Sequence, residues 1–320
     1  MKQAIWLIMP LLLLGGCAQE AEPVPAEGNR PEGATPLLVE NAVLESGVVT
    51  RATTTLTTSG VQIGIFRTAG TGYTGVQNNI PYKYSSSAWA PTSSTNPVWL
   101  LPADVDVCAY YPYNSTYTDK TAIPLATAVY TTAGDICFAG NRTMNGTPSM
   151  KSTVFAMKRV MAKMRFTLKK GDYPGTCSVS KIKLENSKLT TKGTVDITDI
   201  DNEAIITETG GTFDYAPSTS GGSVSATAAG VATREVLLLP FEFDTDGKLT
   251  VTLTVDTKDM QLDLPAATFT GSKIEPGKFY QLTVKLNGTK LEVTGVTIEE
   301  WDNIQLSDSG GSDYKPSPSS

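Results

Sequence analysis

The 320-residue chain contains no histidine. Without an imidazole it cannot build a Ser-His-Asp triad, a His-assisted thiol nucleophile or a His-ligated zinc site. Carboxylates and lysines remain as acids or bases, so enzymatic chemistry is disfavoured rather than removed, and no enzyme is expected. Cysteine is almost as scarce, with four residues at 17, 108, 137 and 177 and no Cys-x-x-Cys pair. If Cys17 serves elsewhere the other three form an odd set, which suits buried free thiols on strands better than a disulfide framework. A Cys108–Cys137 bridge stays open in an oxidising compartment. Positive charge is never concentrated: 26 Lys and Arg are spread against 32 Asp and Glu. Phosphate backbones attract clustered cations, so a nucleic-acid partner is not expected. Helical periodicity is missing too, and no glycine-rich phosphate loop of useful spacing is present. Only one apolar run is long, Ala4 to Leu14. It falls short of the roughly 20 residues a membrane-spanning helix needs and suits the core of a signal peptide.

What the chain does have is period-two alternation. From Lys278 to Trp301, Tyr280, Leu282, Val284 and Leu286 alternate with polar residues, Asn287-Gly288 turns the chain, and Leu291 and Val293 resume. Asn-Gly tolerates positive φ at both centres of a type I′ turn, so a β-hairpin is expected there. In Ala162 to Lys169, Ala162, Met164, Phe166 and Leu168 alternate with Lys163, Arg165, Thr167 and Lys169, again a strand with one wet face. Asp244-Thr245-Asp246-Gly247 predicts a second hairpin, between Val236–Phe243 and Lys248–Asp256. Many short strands separated by Ser, Thr, Asn and Pro loops predict an all-β chain of two tandem β-sandwich domains. The expected division is 1–16 signal peptide, 17–36 tether, 37–150 N-terminal sandwich, 151–306 C-terminal sandwich and 307–320 flexible tail. The tether, rich in Pro, Glu, Gly and Ala, has too little apolar surface to form a core.

Candidate chemistry is thin. Asp196, Asp199, Asp201, Asn202 and Glu203 are the densest acidic group, but a calcium loop of the EF-hand kind wants glycine where Ala204 stands. A solvated loop is the better reading, and no metal or cofactor is assigned. Asp104 and Asp106 share one face of a strand and read as its wet side. Tyr110, Tyr111, Tyr113 and Tyr117, with Trp89, could stack on a sugar, although alternating tyrosines more often pack a core or its rim. Four Asn-x-Thr/Ser matches, at Asn114, Asn141, Asn145 and Asn287, read as chance.

Several ordered features together resemble a known family. Leu14-Gly15-Gly16-Cys17 resembles a bacterial lipobox, in which Cys17 becomes a lipidated N-terminus, and Glu20 and Glu22 resemble an acidic surface-export signal. Thr50-Arg51-Ala52, Ala109-Tyr110-Tyr111-Pro112-Tyr113, the Lys158 to Leu168 strand, Pro276-Gly277-Lys278-Phe279-Tyr280 and Ile298-Glu299-Glu300-Trp301 follow in an order similar to that of the fimbrillins of Bacteroidetes. Met157 departs from the histidine that relatives often carry. The resemblance implies two sandwich domains of transthyretin-like topology, export as an outer-membrane lipoprotein and assembly with other fimbrial subunits at the cell surface. It implies proteolysis between Arg51 and Ala52, loss of the Leu37 to Leu44 strand, and filling of the vacated groove by a C-terminal strand of the next subunit. Within that donor, running from Leu291 to Leu306, the anchoring residues would be Leu291, Val293, Val296, Ile298 and Trp301. A fimbria implies adhesion or biofilm formation through a host or bacterial surface receptor. The polar tail beyond Leu306 makes a tip or accessory subunit as credible as a stalk subunit. A surface glycan-binding lipoprotein using exposed Tyr and Trp is the alternative.

Overall fold

The computed structural model describes residues 30–45, 53–209 and 211–301. Cys17, Arg51 and Ala52 lie outside them. The described chain is almost entirely β. Its first large sheet has eight strands: β1 (Leu38–Glu45), β2 (Thr53–Thr55), β3 (Gln62–Arg67), β4 (Gln77–Ser85), β5 (Ala88–Pro91), β6 (Val105–Tyr111), β7 (Cys137–Met144) and β8 (Ser152–Arg159), in the spatial order β2-β1-β8-β7-β6-β3-β4-β5. The sheet curls until β1 touches β5. Leu37, Ile63, Ile65, Tyr82, Trp89, Val107, Phe155 and Met157 fill the space inside the curl.

The second half begins with β9 (Ala162–Lys170) and β10 (Ser178–Glu185), and continues through β11 (Thr212–Tyr215), β12 (Val236–Leu238), β13 (Lys248–Val255), β14 (Lys258–Pro265), β15 (Lys278–Asn287) and β16 (Lys290–Glu300). The pair Ala128–Val129 leads one sheet, followed by β12-β9-β15-β16, and the other runs β11-β10-β13-β14. Met164, Phe166, Leu168, Leu282 and Val284 from the first meet Ile182, Leu184, Val251 and Leu253 from the second. Two sheets with apolar faces in contact form a sandwich.

The halves interleave. Ile123–Ala126 pairs with Thr190–Val195, and Ala128–Val129 pairs with β12, so a segment early in the chain edges the later sheets. A third apolar cluster lies between the halves, where Phe66, Cys108, Tyr110 and Phe138 meet Ile123, Leu125, Ile197, Leu237 and Phe279. This explains runs such as Val105–Tyr111, in which residues 107–111 are all buried: the middle of the first sheet is covered on both faces.

Two turns differ from the sequence expectation. The terminal hairpin exists, but its register pairs Asn287 with Lys290, so the loop is Gly288-Thr289 and only Gly288 takes positive φ, at 55°. That puts glycine at the first centre, the requirement of a type II′ turn rather than I′. The Asp244–Gly247 turn makes no hairpin. The strand before it, Phe241–Glu242, pairs with Lys273–Ile274, whereas β13 after it pairs with β10 and β14, so the turn carries the chain from one sheet to another.

The tight hairpin of this region joins β13 to β14 through Asp256 and Thr257, both at positive φ (44° and 73°). Asp256 accepts hydrogen bonds from the Thr176 hydroxyl (2.6 Å) and from the amides of Ser178 and Cys177 (3.0 Å each). These donors, the hydroxyl foremost, hold its carboxyl down at about 2. A folded-state value below the unfolded one, near ~3.9, contributes stability that is present above pH 4 and lost as pH falls through 2. Asp256→Asn should therefore lower the urea midpoint at pH 6, and the gap from the parent protein should close between pH 4 and pH 2. A gap independent of pH over that range would contradict the assignment.

Candidate functional site

β1 lies inside the sheet, parallel to β8 and antiparallel to β2. Its inward side chains Val39, Ala42 and Leu44, with Leu37 just before it, are at most 6 % exposed. Their spacing is two, three and two residues. The three-residue step is a bulge at Glu40, because Val39 pairs with Thr153 and Asn41 already with Val154. The bulge keeps Asn41 out of the core and returns Ala42 to it. Below Glu40 the strand is pinned by Tyr82. The Tyr82 hydroxyl donates to the Leu37 carbonyl and accepts from the Val98 amide, both at 3.1 Å, and the Leu37 amide donates to the Val98 carbonyl at 2.8 Å. Tyr82 is buried, which holds its phenol well above the usual range, so it serves as a neutral donor.

Four of the expected donor residues lie together on β16. Leu291 is buried, and Val293, Val296 and Ile298 are partly buried against the second core. The strand is already in use, zipped antiparallel to β15 as the edge of its own sheet. Trp301 points elsewhere, into the cluster between the halves. Its indole takes the Arg159 guanidinium on its face at 4.3 Å and meets Tyr130 edge-on at 5.7 Å. Its carbonyl accepts from Arg159 Nη1, and its amide donates to the Gly277 carbonyl at 2.8 Å.

Arg159 is the last residue of β8, the strand that holds β1. It pairs with Asp135 at 3.1 Å, and both side chains are almost wholly buried. Burial pushes the Asp135 carboxyl up, while Arg159 and, more weakly, Lys163 oppose that shift. Lys163 lies beside them, bridged to Glu235 at 2.9 Å and ringed by Phe279 (4.3 Å), Trp301 (4.6 Å) and Tyr130 (5.1 Å). Burial lowers its ammonium, and Glu235 counters that. The alternation had placed Lys163 on the wet face of its strand, but it is 4 % exposed because that face is roofed by Trp301 and Phe279. Phe279 likewise belongs to the cluster between the halves rather than to the sandwich core.

The other candidate residues are used structurally. Trp89, Tyr110 and Tyr111 are buried, and Tyr113 and Tyr117 pack partly against the cluster between the halves. Trp89, Tyr110 and Tyr111 therefore offer no open face to a sugar, whereas Tyr113 and Tyr117 are half-buried. Asp104 accepts from Asn145 Nδ2 at 2.7 Å and Asp106 from the Thr143 hydroxyl at 2.8 Å. Asp196 and Asp199 accept from their own loop, and Asp201 pairs with Lys158 at 2.9 Å. Cys108, Cys137 and Cys177 are free and buried, and burial pushes the Cys108 thiol up to about 12.

The sequence pattern of the fimbrillin-like family matches residues 50–301. No curated protein matches the chain. Among solved structures, a candidate cell-adhesion protein from Bacteroides uniformis ATCC 8492 superposes with a TM-score of 0.57 at 19 % identity, over 82 % of this chain and 97 % of its own. A second, from Bacteroides ovatus ATCC 8483, gives 0.56 at 16 % identity over 83 % and 98 %. At such identities these likenesses establish a shared fold. The family match is the stronger statement, because it runs from the connection after β1 through the whole of β16 to Trp301, and by it this chain belongs to the fimbrillin-like family.

Proposed function

We propose that this protein is a non-enzymatic subunit of a surface fimbria, exported as a lipoprotein through Cys17 and assembled with other subunits by protease-triggered strand exchange. The observation that carries this reading is the place of β1. The strand is interior to its sheet, yet its covalent link to the strands that hold it is the 46–52 connection, which contains Arg51 and Ala52. A cut there releases residues before Ala52 as a separate piece. Its departure would bare the β8 edge and the apolar pockets of Leu37, Val39, Ala42 and Leu44. An open edge beside an apolar slot is a template for a strand from another chain.

Donation by β16 is close to balanced on backbone pairing. β16 forms ten register pairs with β15, while β1 forms six with β8 and three with β2. The apolar side chains favour the slot, because Val293, Val296 and Ile298 are only partly covered where they are. Adhesion or biofilm formation at the outer surface follows from such a polymer, with a stalk, tip or accessory position. Treating the purified chain with trypsin should cut after Arg51 and yield a ladder of oligomers on electrophoresis and filaments by microscopy. Cleavage elsewhere, or a cut product that stays monomeric, would overturn this function.

A further inference from the structure

The strand that leaves and the strand that would replace it carry the same pattern in the same register. Leu37, Val39, Ala42 and Leu44 fill the slot, and Leu291, Val293, Val296 and Ile298 are the apolar residues of β16, with identical spacing. The likeness extends to the backbone. β16 is bulged where β1 is bulged, immediately after the valine: Val293 pairs with Val284 and Gly295 already with Thr283, leaving Thr294 as the extra residue, as Glu40 is in β1. Both segments then place Glu one residue beyond the last apolar position, Glu45 and Glu299. A strand of uniform pleat could not satisfy the slot, because after the bulge every side chain would point to the wrong face.

Resting on the strand-exchange reading, we propose that Tyr82 and the bulge fix a single register for the strand that enters the β1 slot, the one that sets Leu291 of a second copy at the height of Leu37. In that alignment Leu291 takes the place of Leu37 and Thr297 that of Val43. Loss of β1 removes the Leu37 carbonyl to which the buried Tyr82 hydroxyl donates. A buried donor without an acceptor is costly, so the incoming strand is held where it supplies a carbonyl at the same height, that of Leu291. Slippage by one residue orphans the hydroxyl and turns the apolar row outward. Slippage by two returns the pleat but sets the bulge against regular pairing. Val296 in place of Ala42 is the one position where the slot must widen.

The test uses full-length protein treated with trypsin, and two fluorescent peptides, residues 36–45 and 290–300. Both should bind the treated protein and neither the untreated one. Tyr82→Phe keeps the ring and should weaken both by on the order of fivefold, the size of one net hydrogen bond. Ala156 pairs with Val43, so an Ala156→Cys protein joined by a short thiol cross-linker should capture the 290–300 peptide carrying Thr297→Cys, and not those carrying Gly295→Cys or Glu299→Cys. Capture at Gly295 or Glu299, or no effect of Tyr82→Phe on either peptide, would sink the register assignment while leaving strand exchange intact. Binding of the 36–45 peptide alone would remove β16 as the occupant. If neither peptide binds, the slot itself is not a binding site, and the exchange reading falls with it.

Discussion

Asp135→Ala should lower the unfolding free energy by about 3–5 kcal/mol, the range for breaking a buried ion pair by removing one partner. The carboxylate sits 3.1 Å from Arg159 with both side chains almost wholly buried, and Lys163 brings a second cation to the same site. Removing the anion leaves Arg159 and Lys163 close together under the aromatic roof, with Glu235 bridged to Lys163 at the edge. Burial is the main cause that holds the Cys137 thiol well above its usual range, and it persists when Asp135 is removed. The double change Asp135→Leu with Arg159→Met should recover much of the loss, as apolar pairs of similar volume often match or exceed a buried ion pair. Urea denaturation of the two variants and the parent decides this. A single variant as stable as the parent would show that the Asp135–Arg159 pair contributes no net stability.

The sequence made the sandwich legible because each half builds one face of a core from alternating residues. Met164, Phe166 and Leu168 on β9, and Tyr280, Leu282, Val284 and Leu286 on β15, all point where period two put them. The junction between the halves was hidden for the same reason. Alternation assigns one face to solvent, and nothing local to β9 says that Trp301 and Phe279, more than a hundred residues away, cover Lys163. One signal was present: in Ser152–Arg159 the buried positions are 153, 155, 157 and 159, so the apolar row ends on an arginine. An inward arginine asks for a buried carboxylate, but only the fold reveals that Asp135 supplies it. The β13–β14 turn was missed because Thr257 is β-branched and an unlikely occupant of positive φ. The first strand was half legible, since the apolar Leu37 to Leu44 segment predicts a strand and Leu38–Glu45 forms one. Its parallel place beside β8 and its pinning by Tyr82 depend on pairings between residues far apart in the chain.

The second large effect concerns retention of β16. Trp301→Ala should cost about 3–5 kcal/mol, the range for deleting a buried aromatic side chain. Unlike an ordinary core truncation, this loss should be local to one strand. Trp301 closes β16 onto Arg159 through the indole face and the main-chain carbonyl, and its amide ties the strand end to Gly277. Without the indole, β16 keeps its pairing with β15 and the main-chain bonds of residue 301 but loses the ring contact with Arg159 that closes its C-terminal end, and an edge strand opens first where its contacts are weakest. Hydrogen exchange should accelerate at the amides of 291–300 well before those of β9 and β13. Phe166→Ala is the matched control, because it truncates a fully buried aromatic in the sandwich core at a similar cost without touching the strand end. Its exchange should rise across the whole second half. The consequence for assembly follows from the near balance of backbone pairs between the two positions of β16. With the anchor removed, trypsin-treated Trp301→Ala should form oligomers sooner than the treated parent, while Phe166→Ala should not. Slower assembly in Trp301→Ala, with β16 exchange confirmed to be faster, would show that strand release does not limit polymer growth.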